Sequence, residues 1–387
     1  MNFDLIVIGG GAAGFFAALS AKKANPFAKI LILEKTAQLL SKVRVSGGGR
    51  CNVTHNCFDP KEFIKNYPRG SKELLGPFTR FSPKDTIEWF ESRGVKLKAE
   101  EDGRIFPITD SSQTIIDCLI NEAQKLGVEI QTQTRIETIN KEHDHFLLQG
   151  EKGEMRASKL VLATGSSPQG HAWAKGLGHT IEPLIPSLFT FHSPTSPLLE
   201  LSGVSVEDAE VRLEGRTVRQ RGPLLITHFG FSGPAIIKLS AWEAPYLFEN
   251  NYKAKLIINW LPHLTPVQVA RGLREKSNRF NLPKSLWNSL SHKTLQADIY
   301  EIDGKNMFKK EFVTCGGVRR SEVNFKTMES KVCPGLYFTG EILDIDGVTG
   351  GFNFQNAWTT AYIAGNSLDF LMETHENEEK LTLRTHQ

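Results

Sequence analysis

The chain has 387 residues, of which 40% are hydrophobic, 23% charged and 9% aromatic, the balance of an ordinary globular protein. Lys and Arg number 46 against 43 Asp and Glu, a net charge of +3, well short of the basic footprint of a dedicated nucleic-acid binder. The five cysteines (Cys51, Cys57, Cys118, Cys315, Cys333) are odd in number and form no Cys-x-x-Cys pair. That argues against a disulfide framework, a zinc ribbon or a dithiol redox centre, and it suits a reducing cytosol. No basic leader precedes the first apolar run, and no uncharged apolar stretch reaches about 18 residues, so a cytoplasmic chain without a membrane span is expected.

Residues 5–8 are wholly apolar and stop at glycine, as a strand buried on both faces does. Small, helix-compatible residues follow over 12–24 until Asn25-Pro26 breaks them, and 30–33 is a second apolar strand ending at Glu34. Together they make a βαβ unit of the usual length, roughly 30 residues. Residues 36–58 read as an irregular loop with a glycine triplet. Helical patterns occupy 60–66, 71–78 and 83–93, with Pro60 and Pro83 near helix starts, and 112–126, opened by Asp110 and Ser111 and closed by Gly127. Strands are expected over 128–132, 135–140, 145–149 and 160–163.

Prolines 183, 186, 194 and 197 then punctuate a loop-rich passage. Beyond it come short strands near 188–192, 204–213, 216–220 and 224–227, and a helix from Pro234 to about Trp242. A strand over 255–260 and helices near 266–278 and 283–290 follow, and 187–311 reads as an inserted domain. Residues 336–339 return to the buried-strand pattern, and a long helix is expected over 353–372, with a frayed tail beyond.

Gly9-Gly10-Gly11-Ala12-Ala13-Gly14 fits G-x-G-x-x-G, with a tight turn at Gly9, close approach of backbone to a diphosphate at Gly11 and close helix–strand packing at Gly14. Amides from Ala12 onward, at the helix start, suit the diphosphate. The motif gains weight from its place between strand and helix, and from Glu34, whose carboxylate suits both ribose hydroxyls of an adenosine. Three further segments favour a flavin over a nicotinamide. Ala163-Thr164-Gly165 is a small tight turn after a buried strand, suited to passing beside a cofactor. The strand after Gly335 ends in Gly340 and Glu341, a carboxylate suited to a ribityl hydroxyl. Gly350-Gly351-Phe352-Asn353 opens the last helix, whose amides suit the N1/C2-carbonyl edge of a flavin, where negative charge gathers on reduction.

Ser46-Gly47-Gly48-Gly49-Arg50-Cys51-Asn52 offers three glycines that let backbone lie flat against a ring, with Arg50 and Asn52 as donors to a reduced flavin. Cys51 has no nearby partner cysteine, and a packed, inert thiol is favoured over a redox role. His228, just before the helix start at Ser232-Gly233-Pro234, is a substrate-side acid or anchor, or equally a structural histidine of its own loop. Phe189, Phe191, Phe229 and Phe231 read as core. No His/Asp/Glu spacing suggests a metal site.

On these residues the chain resembles the BaiN/RdsA-like (YhiN-like) NAD(P)/FAD-dependent oxidoreductases, within the glutathione-reductase-type flavoproteins. The resemblance rests on the segments 46–54, Gly103-Arg104-Ile105-Phe106-Pro107, 227–234, Thr314-Cys315-Gly316-Gly317-Val318 and 346–353. It implies an α/β fold: a discontinuous Rossmann-like FAD-binding domain over 1–186 and 312–387, and a β-barrel-like insert over 187–311 with a helical part near 262–292. It implies that Gly9, Gly11, Ala13, Gly14, Glu34 and Lys35 hold the ADP half. Lys42, Ser46 and the 47–52 loop would approach the isoalloxazine, with backbone near Ile136 touching adenine.

The implied activity is hydride exchange between flavin N5 and a small organic substrate, as in reductases fed by NAD(P)H; amine oxidases using oxygen are the alternative. No second G-x-G-x-x-G sits in strand context, so a nicotinamide would visit only transiently. A tRNA-modifying flavoprotein or a non-catalytic redox sensor are further readings. The modest charge gives no reason to expect a nucleic-acid partner, and the sequence names no oligomeric state.

Overall fold

A computed structural model describes residues 1–274, 280–290, 294–306 and 313–369. The wholly apolar strands find cover on both faces at the centre of a parallel sheet. Asn2–Ile8 pairs with Ile30–Leu33 on one side, Val7 opposite Ile32, and with Gly153–Leu162 on the other, Val7 opposite Val161. Glu129–Gln131 extends the sheet beyond Ile30–Leu33, and Leu336–Phe338 extends it beyond Gly153–Leu162. All five run the same way, so their carboxyl ends share one rim, where ligands bind in open α/β sheets.

Two helices that begin at this rim cross closely. A Cβ added to Gly365, in the last helix Phe352–Asn366, would lie 2.6 Å from the Ala17 carbonyl oxygen of Ala12–Ala24. Phe15, Phe16, Leu160, Val161 and Trp358 are buried around them.

A second sheet is antiparallel throughout, in the order Asp298–Asp303, Lys253–Asn259, Ser205–Leu213, Arg219–Thr227, Gly230–Ser232, Thr190–His192, Lys305–Asn306. Its two end strands are consecutive in the chain, separated by Gly304. The sheet therefore curls until its edges meet, and the His192 N–H donates to the Gly304 carbonyl at 3.1 Å. Its own buried cluster includes Phe189, Phe191, Phe231, Leu256 and Trp260, with Val269 and Leu286 from the helices Pro266–Arg274 and Lys284–Ser289. The chain enters by Ile181–Ser187 and returns by Val313–Val318, which pair as a two-stranded antiparallel ribbon. This is the expected α/β architecture, with a barrel-like sheet and helices set into it.

Several elements differ from the sequence expectations. Within 36–58 lie a short helical turn at the start of Ser41–Gly49, which leaves helical geometry at Ser46 so that the glycine triplet is the expected loop, and a strand, Thr54–His55, which joins Arg104–Pro107 and Leu97–Ala99 in a small sheet. The few residues of this turn carry little apolar signal; tertiary bonds such as Ser112 Oγ to the Arg44 carbonyl (2.9 Å) help hold it. Gly153–Leu162 starts well before 160, because its first half alternates as one arm of a hairpin with His145–Gly150. Pro168–Gly176 is an additional helix, with proline in its first turn.

Ile181–Ser187 is a strand despite Pro183 and Pro186, which it tolerates because it is paired on one side only. Residues 216–220 and 224–227 resolve into one strand, Arg219–Thr227, with Pro223 placed where the register with Ser205–Leu213 shifts. Parts of the expected helices over 266–278 and 353–372, the tail, and residues 307–312 lie outside the described residues. Among the described residues no helix is long and apolar enough to cross a membrane.

Gly365→Val places a branched side chain against the Ala17 carbonyl and separates the two rim helices. Urea denaturation is expected to show a loss of about 2–3 kcal/mol from overpacking; an unchanged midpoint would mean that the crossing is looser than described.

Candidate active site

The rim of the parallel sheet is built from glycines. Gly9 has φ +115°, and a Cβ there would lie 2.4 Å from the Ala163 carbonyl oxygen, so the two turns can touch only through glycine. A Cβ on Gly14 would strike the Gly9 carbonyl at 1.8 Å, whereas one on Gly11 would meet nothing within 4 Å. The turn is closed on its inner side and open on its outer side. No side chain caps the helix at Gly11, so its first N–H groups remain available to an anion.

Glu34 folds back onto this turn. Its Oε2 accepts from Gly10 N at 3.0 Å, and its Oε1 accepts from Thr36 N and Oγ1 at 2.9 and 2.8 Å. The bonds fix the carboxylate and leave lone pairs for ribose hydroxyls. The Thr134 N–H donates to the Glu34 carbonyl at 3.0 Å, which brings the segment leading to buried Ile136 alongside. Lys35 is exposed and Ala12 half-buried. Ala13 is buried, and a Cβ on Gly340 would lie 3.0 Å from its Cβ.

Further round the rim, Lys42 forms an ion pair with Glu341. Thr164 Oγ1 and Thr339 Oγ1, which follow the carboxyl ends of neighbouring strands, and Asn356 Oδ1 of the last helix are buried without a hydrogen-bond partner. Buried polar atoms are nearly always paired. Three unpaired oxygens, two of them at a rim lined with glycine and uncapped amides, fit a polar dinucleotide.

Ser46 Oγ donates to the Val43 carbonyl at 2.9 Å, and Gly47, Gly48 and Gly49 follow with φ of +57°, +70° and +88°. Cβ atoms on Gly48 and Gly49 would meet nothing within 4 Å, so this loop presents bare backbone. Cys51 is fully buried, and burial pushes its thiol up to about 12, which makes it an unreactive packing group. Arg50 is not a free donor: its Nη1 donates to Glu100 Oε1 at 2.6 Å, and its guanidinium lies 4.0 Å over the Phe106 ring.

Asn52, with its amide oriented to satisfy both ends, accepts from Gly351 N and donates to the Thr54 carbonyl, each at 2.9 Å. Asn353 exchanges two 2.8 Å bonds with the backbone of Gly347. The Phe352 ring is packed 4.9 Å from both His55 and Phe63. These polar and aromatic side chains are thus spent on shaping the loops, the Gly351 N–H is taken by Asn52, and the half-buried backbone of Gly350 is what remains for a ligand.

Sequence reasoning missed the charged hub behind this loop. Arg69 donates through Nε and Nη2 to the buried Asp346 carboxylate, and Nη2 also reaches the Ala241 carbonyl at 2.9 Å. Ser187 Oγ donates to the same carboxylate at 2.9 Å. One ion pair therefore joins the FAD-side loops, the end of the ribbon and the insert helix Pro234–Trp242. Two residues earlier, burial raises the Asp344 carboxyl to about 6 from its usual 3.8, although Arg320 lies 3.2 Å away.

His55, also missed, donates from Nε2 to the Asp102 carbonyl (3.1 Å), while its buried Nδ1 has no partner. His228 is exposed in the turn between Arg219–Thr227 and Gly230–Ser232, its ring 3.9 Å from that of Phe229.

Comparison with known proteins settles the family. The model of the HI0933-like protein Rossmann domain matches residues 3–367. The chain belongs to the HI0933-like family. A 3-dehydro-bile acid Δ(4,6)-reductase of Clostridium scindens is 30% identical, covering 93% of this chain and 98% of the relative. A ribosomal RNA dihydrouridine synthase of Escherichia coli is also 30% identical, covering 95% of this chain and 98% of the relative. Among solved structures, a 3-ketosteroid-Δ4-(5α)-dehydrogenase of Rhodococcus jostii superposes with a TM-score of 0.54 at 16% identity, over 95% of this chain and 96% of that one, which shows a shared fold. This HI0933-like chain is an FAD-dependent oxidoreductase.

Two outcomes test the site. Gly11 sits at φ −94° with open space around it, so Gly11→Val should leave the melting temperature nearly unchanged while the added side chain obstructs the diphosphate. FAD affinity, read by flavin fluorescence titration, is expected to fall about tenfold or more. Asp344 binds its proton more tightly folded than unfolded, so its contribution favours folding below about pH 4 and is lost as pH rises through about 6. Between denaturation at pH 4 and at pH 8, Asp344→Asn should gain on the parent by about 2 kcal/mol, the attraction of Arg320 being already contained in the raised value. A constant difference across that range would contradict the burial argument.

Proposed function

We propose that this enzyme reduces a carbon–carbon double bond conjugated to a carbonyl group, in a small organic substrate held between the flavin ring and the insert, with NAD(P)H as the transient electron donor. The carrying observation is that the two relatives described above, each matched from end to end, are named for the same kind of bond change. One reduces Δ4,6 bonds of a 3-oxo steroid acid and the other makes dihydrouridine, whose saturated bond was conjugated to a carbonyl. Bound FAD supplies hydride exchange at its N5 position.

The chain's own groups do the rest. The uncapped helix at Gly11 and the Glu34 carboxylate hold the ADP half. The flat 47–49 backbone supports the ring, and the amide at Gly350 favours negative charge at its pyrimidine edge. The Arg69–Asp346 pair fixes the insert helix over that edge. We take the insert as 187–311, in line with the separate buried cluster on that side of the ribbon. A cytoplasmic setting, where NAD(P)H is abundant and thiols stay reduced, agrees with five free cysteines.

A second reading, reduction of a uracil within RNA, is favoured by the identity to the dihydrouridine synthase. Against it, three arginines of the insert are paired with carboxylates: Arg219 with Glu210, Arg221 with Asp208 and Arg216 with Glu243.

The test is anaerobic reduction of the pure holoprotein with NADH and NADPH, followed by candidate acceptors. Bleaching by one nucleotide and reoxidation by 2-cyclohexenone, but not by cyclohexene, is the expected result. No bleaching, or reoxidation only by oxygen, overturns it. Reoxidation by a ribosomal RNA fragment alone, with affinity falling steeply as salt rises, establishes the second reading instead.

A further inference from the structure

The ion pair between Lys42 and Glu341 occupies a particular place on the rim. Lys42 lies just after Leu40, whose N–H donates to the Gly10 carbonyl at 2.8 Å, so it is anchored beside the first glycine turn. Glu341 follows Leu336–Phe338, on the other side of the sheet. Gly153–Leu162 and Asn2–Ile8 run between them. The pair therefore reaches across the carboxyl ends of the two strands whose turns, at Gly9 and at 163–165, touch each other.

It is seated rather than loose. A Cβ on Gly165 would lie 3.4 Å from Glu341 Oε2 and 3.9 Å from Lys42 Nζ, so the two charged atoms rest on that turn. Lys42 Nζ also approaches Ser166 Oγ at 3.4 Å, and Thr314 N donates to Glu341 Oε1 at 3.3 Å. Thr314 belongs to the strand by which the chain returns from the insert. Four segments of the cofactor rim thus meet at one ion pair.

We propose that Lys42 and Glu341 act together as a latch on the FAD groove, closed while the cofactor is bound and opened for its release. The proposal rests on the cofactor assignment above. A rival role has the opposite sign: were Lys42 to abandon Glu341 for the diphosphate, Glu341 would compete with the cofactor, and neutralising it would tighten binding. The Lys42 side chain is 60% exposed and that of Glu341 18%, so solvent screens the pair and the effect is several-fold, not orders of magnitude.

The experiment is the rate of FAD release from the holoprotein, followed by the rise in flavin fluorescence, in Lys42→Met, Glu341→Gln, both together, and the exchanged Lys42→Glu/Glu341→Lys protein. The amide introduced by Glu341→Gln can still hydrogen-bond a ribityl hydroxyl, so that variant isolates the charge. Each single substitution is expected to speed release about two- to fivefold. The double should be no faster than the faster single, and the exchanged protein should return to within about twofold of the parent. Raising salt should speed the parent toward the single variants and leave the double unmoved. Slower release from Glu341→Gln, multiplying effects in the double, or no rescue on exchange would overturn the latch. A parent protein that takes up no FAD would instead overturn the cofactor assignment, so the two failures are distinguishable.

Discussion

The architecture depends on backbone touching backbone at places where a Cβ cannot fit. Gly9 meets the Ala163 carbonyl, Gly351 meets the Thr54 carbonyl, and Gly365 meets the Ala17 carbonyl, each with a hypothetical Cβ at 2.4–2.6 Å. The first two draw the first strand, the 163–165 turn, the Thr54–His55 strand and the start of the last helix together at one rim, and the third locks the far end of that helix against Ala12–Ala24. The amides left over at helix starts then face the ligand without side chains in the way. A larger residue at such a position would separate elements and, with them, the surfaces that recognise two halves of one dinucleotide.

Charge is handled differently on the two sides of the site. Around the first glycine turn the Glu34 carboxylate is held in place by N–H and O–H donors and keeps spare lone pairs. Elsewhere around the candidate site the charged groups neutralise one another: Arg50 with Glu100, Lys42 with Glu341, Arg69 with Asp346. Asp346 is fully buried, and breaking such a pair strands a charge in low dielectric. The placement of the insert helix Pro234–Trp242 is therefore tied to the integrity of the core, not to a surface contact.

What was legible in the sequence was what local pattern encodes. Residues 5–8 and 30–33 are apolar throughout because both faces are covered, and Gly9 to Gly14 with Glu34 lie within one βαβ unit. The insert's short strands were also readable in outline. Illegible were elements whose reason lies far away in the chain. Thr54–His55 is a strand only because Arg104–Pro107 comes to pair with it. Ile181–Ser187, studded with prolines, is one only because Val313–Val318 returns beside it. Arg69 and Asp346 are 277 residues apart, and a lone arginine in a loop carries no signal of a buried partner. Arg50, Asn52, Phe352 and Asn353 stand out by residue type as ligand groups, yet their side chains are used to build the loops.

That last point bears on how one scaffold serves substrates as unlike as a steroid acid and a nucleoside. When side chains near the ring brace the loops and backbone faces the cofactor, the FAD-binding surface becomes largely independent of the substrate. Under the proposed function discrimination falls to the insert, whose helix Pro234–Trp242 is the element bolted down by Arg69 at Ala241. Changes in the barrel-like sheet and its helices can alter what is admitted without disturbing the glycine contacts that hold the dinucleotide. Under the proposed function a conjugated carbon–carbon bond is the shared requirement, because hydride addition needs a neighbouring carbonyl to take up the charge, whatever carbon skeleton carries it.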